Sequence, residues 1–236
     1  MREVCPRRRL ERIMELPNLF EVSENFLPQA QITELQTSLH AGNLAQSTQQ
    51  LSTGMHNQNV LYVINDKGLQ TGSLEPSLLQ LFQQMRHPKA NFWKYQVNWL
   101  TGNSRGAEGE LGTRRTHADQ WVLRKGTDTC RLLAFQTSIL YVSIPKNMRG
   151  GEISLFKKGT AGSKSTFIDL IKLTPADNML ITFQGDIPHQ VQDFETDDPT
   201  PRVSIALEQF YVPQDLYDLT VEFDVIRPPG ATSKAD

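Results

Sequence analysis

At Phe92 the apolar residues of this chain stop recurring at helical spacing and begin to alternate with polar ones, and that change of period constrains the fold more than any other feature. Beyond it, "FWKYQVNWL", "RLLAFQTSILYVSIP", "GEISLF", "FIDLIKL", "NMLITF", "PRVSIALEQFYV" and "LTVEFDVI" read as short strands. Turn signals separate them, at Lys146-Asn147, Gly150-Gly151, Gly159, Ala176-Asp177-Asn178 and Asp198-Pro199. With no helical pattern interleaved, the runs predict an antiparallel sandwich or jelly roll rather than a βαβ fold. Upstream, "LPQAQITELQTSLHAGN" carries Ile32, Leu35 and Leu39 at helical spacing between Pro28 and Gly42, and "SLEPSLLQLFQQM" does the same with Leu74, Leu78, Leu81, Phe82 and Met85. Both are expected as helices that support the β-rich half. Polar "AQSTQQLSTGMHNQN" between them reads as a surface loop, with a short strand, "VLYVIN", after it.

A chain of 236 residues suits one all-β domain with a sizeable core. The expectation is therefore mainly β with supporting N-terminal helices: a helical support region over about 1–90, a jelly-roll core over 91–226 and a flexible tail over 227–236. The formal net charge of −2 leaves no electrostatic footprint for nucleic acid, and "RRRL" at Arg7–Leu10 is the only basic cluster. It is followed by "ERIMELPNLF", too mixed for a signal peptide, and no run has the length of a membrane span. A soluble, cytoplasmic protein with no nucleic-acid or membrane partner is expected, and oligomeric state has no signal here. Cys5 and Cys130 are distant and lack CxxC or Cys/His spacing, so they read as two unrelated thiols, with Cys130 in the core. "KKGTAGSKST" lacks the spacing of a phosphate-binding loop and reads as a flexible connection.

Chemistry enters at "THADQW". On a strand, residues i and i+2 share a face, so His117 and Asp119 present an imidazole and a carboxylate side by side. A third ligand has four candidates. His40, His56 and His87 lie outside the β-rich half and read as surface or capping residues, whereas His189 in "GDIPHQVQDF" opens a strand that a jelly roll can bring back beside the pair. Two histidines and one carboxylate with open positions are the site type of non-haem Fe(II) oxygenases, and Mn(II) or Co(II) would also fit such donors. A closed zinc site would need a fourth protein ligand. In "PRVSIALEQF", Arg202, Ser204 and Ala206 share the face opposite Val203, Ile205 and Leu207. An arginine there suits bidentate capture of a carboxylate, and a dicarboxylic cosubstrate would fit.

"THAD", "GGEISLF", "GDIPHQV" and "PRVSIAL" stand in the order and approximate spacing of motifs of Fe(II)/2-oxoglutarate-dependent dioxygenases, and residues 92 to 212 resemble their prolyl 4-hydroxylase-like branch. The resemblance implies a double-stranded β-helix, the cupin-like jelly roll. It implies His117, Asp119 and His189 as ligands of Fe(II), and Arg202 as partner of the distal carboxylate of 2-oxoglutarate, with Ser204 assisting. Tyr141 in "SILYVSIP" matches a tyrosine whose hydroxyl helps hold that carboxylate, and Gly150 and Gly151 match a structural turn. The implied reaction consumes O2 and 2-oxoglutarate, releases succinate and CO2, and places a hydroxyl on a substrate carbon. Halogenating relatives carry a small residue where this chain has Asp119, so hydroxylation is favoured.

Substrate contacts are sought in Arg114, Arg115 and Trp121, which flank the motif and would grip an anionic or carboxylate-bearing substrate. Trp93, Tyr95 and Trp99 alternate on one strand and are expected in the core. The glycine-rich loop from Thr101 to Thr116 suits a lid. A small-molecule substrate, such as an amino acid or metabolite intermediate, is the first reading. A peptide or protein side chain is the second. The third is a cupin-like metal-binding protein or metal-dependent isomerase or hydrolase, which would have no use for Arg202 and Ser204.

Overall fold

The computed structural model describes residues 19–41, 57–72, 74–100, 116–161 and 164–227. Cys5, His56, Arg114, Arg115, most of the expected lid and the tail beyond residue 227 lie outside them. In chain order the elements are β1 (Phe20–Ser23), α1 (Gln29–Ala41), β2 (Asn57–Asn65), α2 (Asp66–Thr71), α3 (Pro76–Met85) and β3 (Phe92–Leu100). There follow β4 (Gln120–Lys125), β5 (Asp128–Leu133), β6 (Gln136–Ser143), β7 (Arg149–Gly150), β8 (Ile153–Ala161) and β9 (Lys164–Leu173). The chain ends with β10 (Met179–Gln184), β11 (His189–Val191), β12 (Phe194–Glu195), β13 (Arg202–Phe210), α4 (Gln214–Tyr217) and β14 (Phe223–Ile226).

Seven strands pair antiparallel in the order β1-β10-β6-β13-β3-β2-β14. A smaller sheet runs β11-β8-β9, and a bridge between His117 and His189 adds the segment leading into β4 to its edge. From β3 onward the chain passes repeatedly between the two sheets. The large one takes β3, β6, β10 and β13, and the small one takes the His117 segment, β8, β9 and β11. That interleaving is the double-stranded β-helix.

Strand parity decides which side chains face where. On β3, Trp93, Tyr95, Val97 and Trp99 join one apolar cluster with Val203, Ile205 and Leu207 of β13, and the helices cover it through Leu35, Leu39, Leu78 and Phe82. The Phe82 ring stands edge-on to Trp93 and Tyr95 at 5.3 and 5.6 Å, and the Tyr95 hydroxyl donates to the Leu78 carbonyl at 3.1 Å. The opposite faces of the same strands turn toward the small sheet. There Ile139, Met179 and Ile181 meet Ile153 and Leu155.

Both long helices form close to their expected limits. Pro76 opens α3 behind a Glu75 side chain that accepts from the Leu78 amide, which satisfies a donor the helix itself leaves open. Within the expected helical support region the described residues also hold β1 and β2, and these widen the large sheet at both sides. β2 begins at Asn57, three residues before "VLYVIN", and the six-residue α2 was too short for periodicity to reveal. Within "KKGTAGSKST" the described residues are strand rather than a flexible connection, and Gly162 and Ser163 lie outside the described residues. Lys158, Gly159, Thr160 and Ala161 continue β8 and pair with Phe167, Thr166, Ser165 and Lys164 of β9, and Thr166 stands directly across from Gly159. Among the described residues no helix is long and apolar enough to cross a membrane.

Candidate metal centre

The bridge between the two halves of the small sheet builds the site. His117 and His189 exchange both backbone hydrogen bonds, at 3.0 and 2.8 Å, so they sit directly opposite each other and their ring centroids lie 4.4 Å apart. Asp119 follows two residues on, just before β4 begins, and its Oδ1 lies 3.7 Å from Nε2 of each histidine. The three potential ligand atoms fall within 4.8 Å of one another. The pair "His-x-Asp" thus works from the mouth of a strand, with one isolated bridge in place of a regular ladder.

Each donor is oriented by something the motif does not contain. Nδ1 of His189 faces the Ile187 carbonyl at 3.1 Å; that oxygen can only accept, so Nδ1 carries the proton and Nε2 keeps its lone pair toward the triad. Phe183 packs edge-on against the same ring at 4.9 Å. Thr137 Oγ1 donates to Asp119 Oδ2 at 2.6 Å, leaving Oδ1 turned to the histidines. Burial lowers the pKa of His189 below its ordinary value, with the Asp119 carboxylate working the other way and His117 adding to the fall, so the ring is held in the neutral form a metal requires. Two imidazole nitrogens and one carboxylate oxygen are the donor set of a facial non-haem Fe(II) centre, and the residues fit that ion.

Thirteen positions beyond His189, Arg202 is 2% exposed on the inner face of β13. Its guanidinium lies 5.2 Å from the Tyr141 ring centroid and 5.7 Å from that of Phe194, within cation–π range of both. Ser204 is directly opposite Tyr141 across the ladder, which brings Arg202, Ser204 and Tyr141 to one place. Burial raises the Tyr141 pKa while Arg202 opposes the rise, and the hydroxyl stays protonated as a donor. Gly151 is a further neighbour: a Cβ built there would stand 3.0 Å from Arg202 Nη1.

Trp121 packs against Phe92 with ring centroids 5.5 Å apart, beside the cluster of Leu123, Cys130 and Phe210. Arg114 and Arg115 lie outside the described residues. Trp93, Tyr95 and Trp99 are core residues, as expected. His87, just past the Arg86 C-cap of α3, accepts from the Lys89 amide at 3.1 Å in a local turn and lies away from the triad. Sequence reasoning missed Thr137, Ile187, Phe194 and a Lys94–Glu208 ion pair on the inner face. Parity on β13 and β3 would have found Glu208, six residues from Arg202, and Lys94; Ile187 lies only two residues from His189, and Thr137 and Phe194 depend on strand pairing.

No protein-family model and no curated protein matches the sequence. Among solved structures, the chain is similar to a Pseudomonas putida prolyl-4-hydroxylase at a TM-score of 0.49 and 14% identity, over 84% of this chain and 94% of that one. It is similar to a collagen prolyl hydroxylase of Paramecium Bursaria Chlorella virus-1, solved with 2-oxoglutarate, at 0.46 and 13%, over 84% and 98%. A Trichoplax adhaerens prolyl hydroxylase, in complex with a peptide fragment of hypoxia inducible factor, aligns at 0.45 and 20%, over 83% and 84%. In this chain the motif residues His117, Asp119 and His189 come together beside the interleaved sheets, the arrangement that the resemblance to Fe(II)/2-oxoglutarate-dependent dioxygenases implies.

Proposed function

We propose that this protein is a non-haem iron hydroxylase that couples decarboxylation of 2-oxoglutarate to hydroxylation of a C–H bond in a small molecule such as an amino acid or metabolite intermediate. One observation carries the reading: the triad and a buried arginine share the inner chamber of a single jelly roll. A metal-binding protein, isomerase or hydrolase needs the first and has no use for the second.

The chain's own residues divide the work. His117, Asp119 and His189 would hold Fe(II) on one side and leave the other side open. Arg202, with Ser204 and Tyr141, would hold the distal carboxylate of 2-oxoglutarate, where a charge-assisted bond contributes about 1.5–3 kcal/mol. Bound there, iron, 2-oxoglutarate and O2 supply an oxidant strong enough for an unactivated C–H bond, with succinate and CO2 as coproducts. Ile139, Ile153, Leu155, Met179 and Ile181 line the space between the sheets and keep water out. Thr137 and the Ile187 carbonyl keep the ligands aimed before anything binds, so little is lost to reorganisation.

The test is an anaerobic titration with Fe(II) and then 2-oxoglutarate, followed by the weak visible charge-transfer band of a chelated complex. Its appearance supports iron and cosubstrate together. Iron binding without the band would return the protein to the metal-binding or non-oxygenase class.

A further inference from the structure

On β3 the face opposite the aromatic core reads Lys94, Gln96, Asn98, and all three are half-buried. Lys94 is paired across the ladder with Glu208 of β13, and Glu208 in turn with Thr137 of β6. Because Thr137 holds Asp119, Glu208 stands one strand spacing from the triad's anchor and Lys94 two, about 5 and 10 Å. Lys94 Nζ contacts both carboxylate oxygens of Glu208, the first at 2.6 Å, and Gln96 donates to Asn98 Oδ1 at 2.9 Å.

A buried ion pair is a poor stability device, since apolar residues of similar volume commonly serve as well. Placing this one beside a second carboxylate, Asp119, makes it more costly still. The Arg202 end of the chamber is already committed to an anion. It lies six residues from Glu208 on the same strand, about 20 Å along an extended chain, so one small dicarboxylate cannot use both ends. An enzyme with two organic substrates needs a second polar anchor, and among the described residues the Lys94–Glu208 pair offers one on the inner face.

We infer that Lys94 and Glu208, with Gln96 and Asn98, form the head-group site for the primary substrate and select a small zwitterion, a free α-amino acid whose carboxylate meets Lys94, whose ammonium meets Glu208 and whose side chain reaches the metal. The inference rests on the hydroxylase reading above and deepens it. Neither charge is left over when such a ligand enters, because the pair's mutual contact is exchanged for two matched ones. A residue within a peptide, lacking both charges, would leave the pair with nothing to bind.

The experiment is a titration of the protein, loaded anaerobically with Fe(II) and 2-oxoglutarate, with each free L-amino acid and with its N-acetyl methyl ester, read as a change in the charge-transfer band. At least one free amino acid is expected to perturb the band saturably, with affinity reduced tenfold or more when the termini are blocked. The K94M/E208M variant, which removes both charges together, is expected to keep the band and lose the same affinity tenfold or more. Should that variant not fold, Gln96→Leu and Asn98→Leu, at half-buried positions, are expected to weaken the amino acid at least threefold. A band that no free amino acid perturbs, blocked forms that bind as well as free ones, or variants that bind like the parent would each overturn the inference, and the second outcome favours a peptide substrate. Absence of the band before any amino acid is added strikes the hydroxylase reading instead. Calorimetry of the same amino acids on parent and K94M/E208M then decides the charged pair alone, binding lost in the variant supporting it and no binding to the parent overturning it.

Discussion

Arg202 shows how a single side chain can be legible in one respect and hidden in another. Alternation along "PRVSIALEQF" assigns it to the face opposite Val203, Ile205 and Leu207, and the tertiary structure agrees. Nothing in the sequence says that the Tyr141 and Phe194 rings lie against its guanidinium, because those rings arrive from other strands. Lys cannot form the planar fork or stack in the same way. Arg202→Lys is therefore expected to weaken 2-oxoglutarate at least tenfold while Fe(II) affinity changes little, measured by titrating each against the charge-transfer band. Thr137 is the converse case, an unremarked residue whose hydroxyl fixes Asp119 from a neighbouring strand. Thr137→Val should lower Fe(II) affinity by about 10- to 100-fold, the usual cost of losing a partner that orients a metal ligand. Equal Fe(II) dissociation constants for parent and variant would remove Thr137 from the site.

At the scale of elements, the Gly150-Gly151 turn was readable as a turn, and the structure adds what it touches. Both residues have positive φ, 81° and 77°, and the Gly151 amide donates to the Asp193 carbonyl at 2.9 Å. A methyl group at Gly151 would press on Arg202 Nη1 and on Met148, besides the backbone strain of about 1–3 kcal/mol for such a conformation. Gly151→Ala is expected to lower thermal stability and also to weaken 2-oxoglutarate several-fold. Gly126 supplies the control: its φ is 61° and a Cβ there would meet nothing within 4 Å. Gly126→Ala should then destabilise through backbone strain alone and leave cosubstrate affinity as in the parent; a matching loss in both variants would mean that strain, not contact with Arg202, is responsible. The β8–β9 pairing teaches a related lesson, since Gly159 sits in a stretch that looked like a loop and yet pairs with Thr166.

At the scale of the whole molecule, burial of His189 ties metal binding and folding to pH. In the unfolded chain this imidazole takes a proton near pH 6.5, and in the folded one burial holds that step lower. Its contribution to stability is therefore whole above about pH 6.5 and declines as the pH falls from there toward the folded value. Glu208 acts with the opposite sign: burial, with Asp119 adding, pushes its pKa up to about 7, so the folded state keeps this proton longer and is penalised as the pH rises from the ordinary carboxylate range toward 7. A plain melting profile mixes the two, and the increment in Tm on adding Fe(II) separates them, because metal binding requires the neutral imidazole. That increment should stay near constant from pH 8 through 6.5 and shrink only as the pH falls through the lowered folded value of His189; an increment that holds until the protein unfolds in acid would exclude His189 as a ligand. What the sequence by itself determined was local: the helices over 29–41 and 76–85, most strands, the shared face of Arg202 and Ser204, and the residue types of the triad, all set by periodicity and side-chain chemistry within a few residues. Tertiary structure alone decided the bridge that joins His117 to His189, the hold of Thr137 on Asp119, the aromatic rings against Arg202, the strands β1 and β2 that widen the sheet, and the Lys94–Glu208 pair beside the metal site. These are contacts between strands distant in the chain, and their register is fixed by the interleaving of two sheets, which no local pattern encodes.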